Sequence, residues 1–113
     1  MNEEVKTEKF DFGEGEVAAH RHSNGGGWIA DTADVENTAY VEEDAWVYGE
    51  ARISGKAQVF GNARVYGRAQ VFGEAQVSGK AQVFGNARVF GNTQVSGDAQ
   101  VYSRARVFNS NPV

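Results

Sequence analysis

The chain has no cysteine, one proline, one methionine and two histidines among its 113 residues. The lack of cysteine excludes a disulfide framework and a thiolate metal site. The lone proline is Pro112, so nothing before it removes a backbone donor. Long hydrophobic runs are missing too, and no stretch approaches the length that spans a bilayer. The opening residues, Met1-Asn-Glu-Glu-Val-Lys-Thr-Glu-Lys, mix both charges and have no apolar centre, unlike a secretory leader. One small domain is expected, cytoplasmic and without membrane contact. Basic side chains are scarce in the first half. Residues 1–50 hold 13 acidic and 3 basic groups, whereas residues 51–113 hold 2 and 8. If chain length maps onto an axis, one end is acidic and the other basic.

Glycine, by contrast, is plentiful and regular. From Gly27 to Ser110 a six-residue phrase recurs fourteen times without insertion or loss, as in Ala57-Gln-Val59-Phe60-Gly61-Asn62 and Ala63-Arg-Val65-Tyr66-Gly67-Arg68. The first and third places are small and aliphatic and lie two apart, so they share one face of a strand. Valine at the third place favours strand over helix. A glycine at every fifth place from Gly49 to Gly97 would ruin a helix and suits a bend with unusual backbone angles. Each hexad therefore predicts a short strand followed by a turn. Such units can bury their aliphatic side only by winding, with each lying over its equivalent in the next coil. The core is thin, which explains alanine at the first place; Val65→Phe would overpack it.

The uninterrupted Ala-x-Val-x-Gly-x register resembles the hexapeptide-repeat superfamily of left-handed parallel β-helices, and within it short bacterial and phage proteins described as hexapeptide-repeat or transferase. The resemblance covers 84 of 113 residues. It implies an all-β solenoid with three hexads per 18-residue coil, about 4.5 coils in all, left-handed and assembled as a homotrimer. Residues 27–110 would form the β-helix and residues 111–113 a C-terminal tail. Residues 1–26 would form an N-terminal tail and capping arm, covering the N-terminal end or wrapping a side. Within the arm, Phe10–Ala18 alternates like a strand, and Ala19–Gly27 reads as a loop by composition.

A period of eighteen sorts the outward side chains into columns. On one face the fourth place reads Tyr48, Tyr66, Phe84, Tyr102, with Trp28 and Trp46 at the second place. A second face reads Glu36, Ser54, Phe72, Phe90, Phe108, with Arg52, Arg88 and Arg106 alongside; a third reads Glu42, Phe60, Ser78, Ser96. The aromatic columns are the candidate binding residues. They suit self-association or another protein, a host protein if the chain is phage-encoded and acts as an antagonist. A stacking surface for sugars or bases is the rival use. Nucleic acid is not expected of a chain with net charge −4.

His20 and His22 are the candidate metal ligands. Two histidines at i and i+2 share one side of an extended strand, and three copies on a trimer axis would offer six imidazoles to a transition metal. No other cofactor is expected. The family's acyltransferases use a histidine base in a loop that interrupts the coils. Here no loop interrupts them and no histidine lies in the repeat, so only His20 or His22 could serve. No catalytic residue is assigned, and a structural or binding module is expected, with an acyltransferase-like enzyme as the alternative.

Overall fold

The computed structural model describes residues 8–109, and among these it contains strands and turns but no helix. Two strands precede the repeat, β1 (Glu8–Asp11) and β2 (Glu16–Arg21). One strand per hexad follows: β3 (Trp28–Ala30), β4 (Asp34–Val35), β5 (Tyr40–Val41), β6 (Trp46–Val47), β7 (Arg52–Ile53), β8 (Gln58–Val59) and β9 (Arg64–Val65). The series continues with β10 (Gln70–Val71), β11 (Gln76–Val77), β12 (Gln82–Val83), β13 (Arg88–Gly91), β14 (Gln94–Val95), β15 (Gln100–Val101) and β16 (Arg106–Asn109). Every third strand pairs in parallel. The first sheet carries β3-β6-β9-β12-β15, the second β4-β7-β10-β13-β16 and the third β5-β8-β11-β14. The protein is thus a three-sided parallel β-solenoid of four full turns and two further strands. Registers such as Gln70↔Arg88 and Val83↔Val101 place residues eighteen apart directly over one another.

The core is the stack of first-place and third-place side chains. From Ala39 to Val89 these are completely or almost completely buried, with Ile53 in place of one valine. Alanine keeps the corner slim while valine or isoleucine fills the centre, so packing alone sets the cross-section. At the C-terminal end Ala99 and Ala105 are exposed and Val107 is half-buried.

The turns hold because glycine sits where the backbone is left-handed. At Gly73 φ is +72°, and a Cβ would come 3.0 Å from the Gly91 amide nitrogen in the next coil. Position 103, just past the run of turn glycines, is the exception: Ser103 adopts φ 61°. The first coil lacks turn glycines and uses side chains instead. The Gly55 and Gly61 amides donate to Glu36 Oε1 and Glu42 Oε1 at 3.0 and 2.8 Å, and Thr38 Oγ1 donates to the Gly55 carbonyl at 2.6 Å. Carboxylates are strong acceptors for such amides, which gives part of the acidic N-terminal half a structural role.

The strand predicted near Phe10–Ala18 is two strands, joined in a hairpin by antiparallel pairing of β1 with β2. The loop expected over Ala19–Gly27 is shorter, because Ala19, His20 and Arg21 pair antiparallel with Ala30, Ile29 and Trp28 of β3. An edge strand with unpaired backbone groups recruits whatever extended segment lies beside it. The remaining loop crosses to the third sheet, where Val41 donates to the Asn24 carbonyl at 3.1 Å and Gly27 to the Val41 carbonyl at 2.9 Å. Two of the three sides of the first coil are therefore paired on their N-terminal edge.

Candidate functional site

The candidate binding residues form two columns of stacked rings. On the first sheet the centroids of Tyr48–Tyr66, Tyr66–Phe84 and Phe84–Tyr102 lie 4.8, 5.0 and 5.4 Å apart, with planes within 12°. On the second sheet Phe72–Phe90 and Phe90–Phe108 lie 5.1 and 5.0 Å apart. A rung spacing of about 4.8 Å forces this geometry on in-register rings. It also turns each ring face toward the next ring and leaves the edges to solvent. The columns open at their C-terminal ends, where Tyr102 is 53 % and Phe108 51 % exposed.

Trp28 and Trp46 are placed differently from the other candidates. Phe10 of β1 stacks on Trp28 at 4.6 Å and meets Trp46 edge-on at 5.2 Å, while Phe12 stacks on Tyr48 at 4.8 Å. Arg21 lies over the Trp28 ring and Arg64 over the Trp46 ring, at 4.5 and 4.4 Å. Phe12, Ala19 and Ala30 form the buried heart of this second small core outside the first sheet. Both tryptophans therefore pack within the chain, and the column open to a partner begins beyond Tyr48. Burial beneath Phe12, and then the neighbouring Tyr66 phenol, raise the Tyr48 phenol above the usual tyrosine range, with Arg64 opposing.

The two histidines serve separate partners. His20 Nδ1 lies 2.7 Å from Asp31 Oδ1 on the surface. His22 is buried, and its Nε2 lies 2.8 Å from the Ala39 carbonyl oxygen. A carbonyl only accepts, so Nε2 carries the proton, and His22 helps close the loop under the first coil together with Asn24. The i and i+2 spacing does not make a shared site: His20 lies within β2 and turns to Asp31, whereas His22, just past its end, turns to the Ala39 carbonyl. Among the described residues no three His, Cys, Asp or Glu side chains converge as a metal set.

One constellation lay only partly in the columns considered from sequence, which held Arg88 and Arg106 but not the sixth places beside them. Arg68, Asn86 and Arg104 occupy successive sixth places at a corner of the coil. With Gln70, Arg88 and Arg106 of the second sheet they line an open groove of ≈ 340 Å³. Sorting the sixth places at period eighteen would have found it.

Among known proteins, the model of a family described as the YdcK beta solenoid repeat matches residues 57–73 and 81–97. No curated protein and no solved structure matches the chain. The two matched windows fall in the most regular coils, where strand, turn glycine and aliphatic core all recur in register. The chain is a repeat β-solenoid, similar over those windows to that family.

Proposed function

We propose that the protein is a non-catalytic structural or binding module of the left-handed hexapeptide-repeat class, a rigid rod whose aromatic columns hold three copies side by side. The observation that carries this reading is the Tyr66–Phe84–Tyr102 run, the part of the column that Phe12 does not cover. It is a continuous strip of ring edges along one face of an inflexible support. Contiguous apolar strips of this kind mark interaction surfaces, and a partner with the same strip meets it rung for rung. A uniform repeat also argues against catalysis, which needs several different groups converging. Light scattering should give the mass of a trimer, and Tyr66→Ser/Phe84→Ser should give monomers or aggregate. An unchanged trimer in that variant would remove the column from the interface.

A second reading rests on the His20–Asp31 contact. A carboxylate on one imidazole nitrogen leaves the other as a base, the arrangement used in acyl transfer. Acyl-coenzyme A turnover, and its loss in His20→Ala, would support this reading. Absence of binding heat and turnover with several donors would end it.

A further inference from the structure

The groove on the second sheet gathers four arginines, Arg68, Arg88, Arg104 and Arg106, with Gln70 and Asn86 between them. Among the described residues no carboxylate lines it. Among the described residues the ion pairs are His20–Asp31 and an exposed Arg68–Glu50 contact at 3.4 Å, so Arg88, Arg104 and Arg106 have no acidic partner there.

The repeat contains its own control for this arrangement. On the third sheet the same second place holds Gln58, Gln76 and Gln94, whose carboxamides hydrogen-bond from rung to rung at 3.3 Å. That neutral ladder satisfies itself. On the second sheet Arg88 stands directly opposite Arg106, one rung of about 4.8 Å away. Like charges directly opposite one another destabilise a sheet. A local rule broken where the same chain shows the harmless solution points to a site whose counter-charge comes from outside.

We propose that this groove binds an acidic oligosaccharide, its carboxylate or sulfate groups taken by the rows of arginine. Each rung offers at least one guanidinium: Arg68 beside Gln70, Asn86 beside Arg88, then Arg104 beside Arg106. The guanidinium fork matches planar and tetrahedral oxyanions in bidentate geometry. Carboxamides both donate and accept, as sugar hydroxyls do, whereas a phosphodiester backbone only accepts. A nucleic-acid strand would also want ring faces to stack on. The nearby Phe72, Phe90 and Phe108 turn their faces on one another. Toward the N-terminus the groove runs on to Asp34, Glu50 and Arg52, where two carboxylates offset the arginines and weaken the pull on a long polyanion.

Calorimetry on the full chain tests this with four probes: a galacturonate hexamer, a heparin-derived hexasaccharide, neutral cellohexaose and a six-nucleotide oligo-dT. At least one acidic sugar should bind, more weakly as salt rises, and cellohexaose should not; which acidic sugar binds identifies the anion. Arg88→Gln/Arg106→Gln installs the repeat's own neutral choice. It should weaken binding by more than about tenfold while raising the melting temperature of the free protein. Lys56→Gln/Lys80→Gln makes the same charge change away from the groove and should leave affinity unchanged. The proposal fails if neither acidic sugar binds, if the double arginine variant binds as the wild type does or melts lower, or if oligo-dT binds as tightly as the sugars.

Discussion

At the scale of single residues, the corner glycines and Tyr48 make the clearest predictions. Gly73 combines a left-handed backbone with a neighbouring corner at the limit of contact. Gly73→Val must therefore take a conformation that β-branched residues avoid and also push two coils apart. A loss of about 1–3 kcal/mol is expected, read as a melting temperature lower by several degrees. No change would mean that this corner is ordinary. Tyr48 makes its prediction through pH. Its phenol resists ionising in the fold, so its contribution to stability is whole below the unfolded-chain value of about 10. That contribution falls as pH rises past this value and is lost once the raised folded value is passed. Tyr48→Phe should melt with a flatter dependence as pH rises past about 10. Parallel curves for variant and wild type would contradict the buried environment assigned to it.

At the scale of elements, the hairpin of β1 and β2 does two things. It pairs the N-terminal edge of β3, and it lays Phe10 and Phe12 on the outside of the first sheet. The repeat core beneath does not depend on it. Phe10→Ala/Phe12→Ala should thus expose Trp28 and Trp46 and shift tryptophan emission to the red, while the far-ultraviolet signal of the coils persists. Emission identical to wild type would place the tryptophans elsewhere. The coils were legible in the sequence because each hexad repeats the same spacing of Ala, Val and Gly, and fourteen copies leave one register. The hairpin was less so. Phe10 and Phe12 alternate as a strand should, but nothing in a single pair tells which surface they cover. His20 and His22 likewise look alike as letters. Their different roles follow from the partners the fold sets beside them, Asp31 for His20 and the Ala39 carbonyl for His22, which are distant in sequence.

At the scale of the whole molecule, the charge asymmetry of the chain becomes an asymmetry of the rod. Glu36 and Glu42 sit in the first coil, Arg104 and Arg106 in the last. In the trimer proposed above, three rods side by side in the same direction would bring like ends together. Their association should therefore tighten as salt shortens the reach of charge from about 10 Å at 0.1 M to about 3 Å at 1 M. Sedimentation equilibrium at two salt concentrations measures this, and weaker association at high salt would mean that neighbouring rods run in opposite directions. The sequence showed the charge gradient but not the arginine groove, whose walls come from two different places of the hexad and meet only across a corner. The coil itself carries two nested frames. Strand, turn and core repeat every six residues, whereas the outer surface repeats every eighteen. A deletion of one hexad, such as residues 75–80, would leave a foldable spiral yet rotate everything after it by one side, setting Gln94 instead of Arg88 over Gln70 and Ser96 instead of Phe90 over Phe72. Insertions and losses in such a chain can thus be silent to its folding and ruinous to its outer pattern, unless they come three hexads at a time.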